Sequence, residues 1–154
     1  MSGVLTSLIR EYREQLQRHR NRPFLRAAMA ACATVAMANG IVELRQRVRV
    51  DQIMEALDAL KVFDPHEGVD LFNEYADAIR KNPVSGHARA LAAVDEEVAA
   101  EPEKAGLLIR VCLAVSAQDG QILEPERREI LALCSRYGLD AVAIGLDSVT
   151  SAGQ

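Results

Sequence analysis

Residues 118–130 read QDGQILEPERREI and set two carboxylates, Asp119 and Glu126, around a glycine turn. Residues 38–50 read ANGIVELRQRVRV and carry the neutral amides Asn39 and Gln46 at the matching places. Carboxylates spaced this way around a glycine are the raw material of a hard-cation site. In an EF-hand loop the ligands come from positions 1, 3, 5, 7, 9 and 12, with glycine at 6 and glutamate at 12. With Gly120 at position 6, Asp119 takes position 5 and Glu126 position 12. Positions 1 and 3 fall on Val115 and Ala117, which have no side-chain oxygen, so a standard EF-hand is excluded. What is left is a half site for a divalent cation such as Ca2+. It comprises Asp119, Glu126 and the Gln121 carbonyl, and needs water or another segment to supply the remaining oxygens. A plainer use of the same residues stays open: Asp119 as a turn former, and Glu126 in the first turn of a helix, where the macrodipole favours a negative side chain.

The two segments lie 80 residues apart, and the register holds beyond them. Cys32 falls on Cys112, Val35 on Val115, Gly40 on Gly120, Val42 on Ile122, Arg47 on Arg127 and Val50 on Ile130. A repeated helix, turn and helix predicts two pseudosymmetric halves, each burying the apolar face that the other cannot cover alone.

Other chemistry is thin. HEGVD, residues 66–70, lacks the second histidine one turn later that a zinc protease needs, and capping explains His66 and Glu67. There is no glycine-rich phosphate loop and no Cys/His pair at informative spacing, so the reading is a non-enzyme without an organic cofactor. Cys32, Cys112 and Cys134 lie in apolar helical runs and read as inert core thiols in a reducing compartment; His19, His66 and His87 read as isolated and exposed. A net charge of -4 argues against nucleic acid as a partner.

The elements that position these residues are helices. Aromatic residues make up only 4% of the chain, there is no Trp, and alanine is abundant. Small side chains of high helix propensity predict an all-α domain of about seven to eight closely packed helices, with strand content close to nil. The first helix carries Leu5, Leu8, Ile9, Tyr12 and Leu16 on one stripe between arginines and is expected to end before Pro23. It fits packing on its own domain, the commoner use of such a face, or lying on an anionic surface. A second helix follows from about Pro23 to Asn39, with Gly40 as its stop, and the next from about Arg47. Asp64, Pro65 and Glu67 predict a capped helix start. Further helices are expected over 88–98, 102–118, 125–137 and 141–146. The expected organisation is an amphipathic N-terminal helix (1–22), a helical domain (23–149) and a frayed tail (150–154). The longest apolar run, residues 27–38, is too short to span a membrane, so the location reads as cytoplasmic.

AQDGQILEPE, together with FLRAAMAACATVAMANG, DALKVFD and LLIRVCLAVSAQDG, makes the chain resemble the bacterial tellurite-resistance TerB family over roughly residues 23–146. The resemblance implies a TerB-like helical bundle, acidic turns that bind divalent cations, and a stress-response role at the inner face of the membrane. It also implies a protein partner, typically an integral membrane protein. Asp119 and Glu126 inherit the metal-ligand assignment, with Gln121 and with Glu124 or Glu43 as supplementary ligands. Asn39 and Gln46 do not inherit it. The family's first turn is usually acidic, whereas here Arg45, Arg47 and Arg49 crowd it.

Overall fold

A computed structural model describes residues 3–152. Among them are seven α-helices: α1 (Gly3–Met37), α2 (Leu44–Ala56), α3 (Pro65–Lys81), α4 (Pro83–Val98), α5 (Pro102–Ser116), α6 (Glu124–Arg136) and α7 (Ala141–Ile144). A 3-10 turn at Leu146–Ser148 and two three-residue strands, β1 (Gln121–Leu123) and β2 (Thr150–Ala152), complete the chain. The all-α expectation holds.

The second half of α1 is the centre of the molecule. Every residue from 27 to 36 is buried, and α3, α4, α5 and α6 all pack against this helix. A helix apolar all round must be enclosed, and alanine at six of these ten positions lets the neighbours come close. The membrane-like run of the sequence is therefore the core. Among the described residues no helix is long and apolar enough to cross a membrane.

The expected break at Pro23 does not occur. Proline there removes one backbone donor, yet α1 runs through it. Contacts on the N-terminal side hold the helix in line: Arg18 Nε donates to the Val62 carbonyl at 2.8 Å, and Asn21 Nδ2 donates to the Ala59 carbonyl at 3.0 Å. Just beyond Pro23, Phe24 and Leu25 are buried. The boundary expected between residues 22 and 23 thus falls inside one helix.

The capped start of α3 is as expected: Asp64 accepts from the His66 backbone N–H at 2.9 Å, and Glu67 accepts from that of Asp64 at 3.2 Å. By contrast, α2 begins at Leu44 rather than near Arg47, and α4 begins at Pro83 under an Asn82 cap. The tail expected to fray instead forms β2 as far as residue 152, pairing in parallel with β1 (Gln121 with Thr150, Leu123 with Ala152). Residues 153–154 lie outside the described residues.

Gly86 sets the approach of α4 to α3. A Cβ there would meet the Ala78 carbonyl and come 2.6 Å from the Ile79 Cα, both rigid backbone. Gly86→Ala should therefore lower stability by about 1–3 kcal/mol, although alanine is the better helix former. Chemical denaturation reads this directly, and an unchanged midpoint would show that the two helices can part at no cost.

Candidate functional site

The acidic turn joins α5 to α6. Gln118 and Gln121 exchange backbone hydrogen bonds of 2.8 and 3.0 Å, and both residues between them have positive φ, 52° at Asp119 and 74° at Gly120. Two left-handed residues in a two-residue loop make a type I′ turn, which Asp-Gly favours because aspartate tolerates φ > 0 and glycine prefers it. Asp119 thus has a structural use. The first turn is built differently: Gly40 has φ 91°, and Asn39 is not left-handed.

The turn's carbonyls are already engaged. That of Gln121 accepts from Gln118, and that of Gly120 accepts from the Thr150 N–H at 2.9 Å, so β2 ties down the loop. Arg127 of α6 holds the same C-terminal segment by donating to the carbonyls of Leu146 and Val149.

The expected ligands are divided. Asp119 and Gln121 are exposed and line an open cavity of about 350 Å3 together with Glu43, Arg45, Gln118, Ile122 and Leu123. Glu124 is not among the lining residues; it accepts from Ser151 Oγ at 2.9 Å and pairs with Arg128 at 3.7 Å. Glu126 is 1% exposed and does not line the cavity either. Among the described residues no three His, Cys, Asp or Glu side chains are grouped so as to hold a metal. The donor set in the cavity fits a dication only as a partial shell, with water completing it.

Glu126 meets Gln46, the residue that the sequence aligned with it. Its Oε2 accepts from Gln46 Nε2 at 3.0 Å, across a separation of 80 residues. Gln46 is fully buried and sits three residues into α2, where its Oε1 accepts from the Glu43 backbone N–H at 2.9 Å. Its Nε2 also reaches Ser116 Oγ at 3.4 Å. Burial pushes the Glu126 carboxyl up, against the lowering effects of the Gln46 amide, the Arg45 charge and the Leu123 backbone. Its Oε1 has no hydrogen-bond partner. Cys32 and Cys112, also 80 residues apart, are both buried, and burial together with the neighbouring Cys32 thiol pushes the Cys112 thiol well above its ordinary pKa.

Why one turn is acidic and the other amidic now has a physical answer. Two glutamates at positions 46 and 126 would bring two carboxylates into hydrogen-bond range in a buried space, where like charges resist joint ionisation. An amide at 46 donates instead. The 80-residue spacing in the sequence aligned positions 46 and 126, but spacing alone does not say which aligned positions touch.

The arginines after the first turn are not a free cationic crowd. Arg45 Nη1 donates to the Ser116 carbonyl at 2.9 Å and Arg49 Nη1 to that of Ala114 at 3.1 Å, covering the negative C-terminal end of α5. Arg47 bonds Asn73 at 2.9 Å. His87, expected to be isolated, is half-buried and pairs with Glu129 at 2.7 Å.

Comparison with known proteins matches residues 25–145 to the family described as tellurite resistance protein TerB. A tellurium resistance protein TerB from Alcaligenes sp is 31% identical over 74 residues, 48% of this chain and 61% of that relative. The chain therefore spans less than two thirds of the relative's length. No solved structure matches the chain.

The Gln46–Glu126 contact makes a pH-dependent prediction. Gln46→Glu places a second carboxyl beside Glu126 and raises the folded-state pKa of the pair above the unfolded value near 4.3. The variant is then least penalised below about pH 4 and loses stability as pH rises through the folded pKa. At pH 7 the deficit against the native chain should reach about 2–4 kcal/mol, shrinking toward pH 5. Thermal melts across this range read it, and a deficit independent of pH would mean the two side chains do not meet.

Proposed function

The chain belongs to the TerB family, as the match over residues 25–145 shows, and from that premise we propose that it is a non-catalytic module of a tellurite-resistance-related system. In this reading it docks on an anionic membrane surface through α1, beside an integral membrane partner, and binds a divalent cation weakly at the turn between α5 and α6. One observation carries the docking. Val4, Leu5, Leu8, Ile9 and Tyr12 recur at helical spacing on the first turns of α1 and are 44–70% exposed, the opposite of a face packed on its own domain.

Charge selects the surface. Residues 3–22 hold five arginines against two glutamates, while the whole chain carries -4. An anionic bilayer would attract this segment and repel the acidic body, orienting the molecule with its helix down. A second copy would set arginine flank against arginine flank, which like charge opposes. The cation site is weak in this reading because few charged ligands face the cavity, which places affinity toward roughly 0.1–1 mM for Ca2+. Calcium bound there would reduce the negative charge of the body and so its repulsion from the same surface.

Co-sedimentation with vesicles tests the docking. The native chain should pellet with phosphatidylcholine vesicles containing phosphatidylglycerol, lose most of that binding as salt rises, and ignore pure phosphatidylcholine. Leu5→Glu with Leu8→Glu should abolish binding while leaving the melting temperature within a few degrees, because both side chains are exposed. Equal binding to neutral vesicles would sink the electrostatic argument. A native chain that stays in the supernatant while light scattering reports a dimer would assign the stripe to a second copy.

A further inference from the structure

The cavity beside the acidic turn already contains a positive charge. Glu43 borders it from the start of α2 and Asp119 from the turn, and Arg45 lines the same space. Arg45 Nε donates to Glu43 Oε2 at 2.9 Å, and its Nη1 donates to the Ser116 carbonyl at 2.9 Å. That carbonyl lies at the C-terminal end of α5, where the helix dipole is negative. The field of the same guanidinium also reaches the buried carboxylate of Glu126, one oxygen of which has no hydrogen-bond partner. A carboxylate, a helix-end carbonyl and the field of a second carboxylate are what a dication in this cavity would draw on. Arg45 uses all three.

The guanidinium is not a loosely attached surface charge. The Arg45 side chain is 24% exposed and is held at two points by groups from different elements, one 71 residues away in sequence. Its planar fork suits this double engagement, which a lysine ammonium could not reproduce. Arg49, one turn further along α2, also bonds a carbonyl of α5 but does not line the cavity. The charge in the cavity therefore belongs to Arg45 rather than to the basic face of α2 as a whole.

We propose that Arg45 is the resident cation of this site: its guanidinium neutralises the cavity, and a divalent ion binds weakly because it must displace that guanidinium from Glu43 or share the cavity with it. The inference rests on the cation reading proposed above and adds, to its few charged ligands, a second cause of weakness in a single side chain. The position takes part in specificity, since a singly charged, planar, covalently tethered cation competes with any small hard ion that enters.

The test is a calcium titration of the full chain followed by amide NMR, on the native protein, Arg45→Gln and Arg49→Gln. Removing one positive charge at a few ångströms from a dication should tighten calcium binding about tenfold in Arg45→Gln, with shifts at Glu43 and at residues 118–123. Arg49→Gln should stay within about twofold of native, because its charge lies outside the cavity and is screened. Should Arg45→Gln fail to fold after losing its bond to Ser116, Arg45→Lys carries the test: it keeps the charge without the two-point hold and should tighten binding about threefold. Native binding that neither Arg45 variant improves overturns the inference and leaves the cation reading standing. A silent native chain with calcium-dependent shifts in Arg45→Gln supports the inference and removes the cation reading for the native protein. No binding in any folded variant at several millimolar calcium overturns both.

Discussion

The enclosure of residues 27–36 of α1 is the constraint to which the other helices answer. Four helices contact this one, and close packing around a single rod is feasible only where its side chains are short. Alanine meets that requirement and leaves little apolar area per residue, so the outer helices supply the bulk: Phe72 and Tyr75 from α3, Leu108 and Ile109 from α5, Ile130 and Leu133 from α6. The same economy explains the close approach at Gly86. The core has small side chains at its axis and large ones in its shell, and the low aromatic content follows from that geometry.

Around this axis the two turns meet without being alike. The Gln46–Glu126 bond ties the first turn of α2 to the first turn of α6, and Arg45 and Arg49 tie α2 to the end of α5. In each of these links a side chain of α2 is the donor: a neutral amide to a buried carboxylate, and two guanidiniums to carbonyls at the end of α5. Other links between elements act in parallel: the Arg136 guanidinium and the Tyr137 hydroxyl of the α6 end converge on Asp95 of α4, and hydrogen bonding to Arg136 holds that carboxyl below the usual range.

Much of the architecture was legible in the chain, for identifiable reasons. The all-α class follows from alanine and helical periodicity, and the start of α3 from Asp64, Pro65 and Glu67, because capping is a local event that a few residues encode. Pro23 misled because its local preference is overruled by Arg18, Asn21 and Phe24, whose partners are distant in sequence. β2 was invisible because so short a segment is placed by groups from elsewhere: Gly120 accepts from Thr150, and Arg127 holds Leu146 and Val149 just before it. Within the candidate site, the Asp-Gly turn was readable, whereas the burial of Glu126 was not: a glutamate after proline reads as a solvated helix start unless its partner at position 46 is known. Arg45 was legible as a charge near the first turn. Its place beside the second turn depends on how α2 lies against α5, which no local pattern records.

The unbroken course of α1 turns it into a lever. An α-helix rises about 1.5 Å per residue, so the stretch from Gly3 to Pro23 reaches about 30 Å beyond the enclosed half of the same helix. Pro23 removes one rung of the hydrogen-bond ladder at the edge of the enclosed half, and Arg18 and Asn21 hold the rod just beyond it, so a bend at Pro23 moves the far end. A tilt of about 5° there displaces the far tip by about 2–3 Å over such a length. Small rearrangements of the loop that grips Arg18 and Asn21 are thereby magnified at the opposite end of the rod.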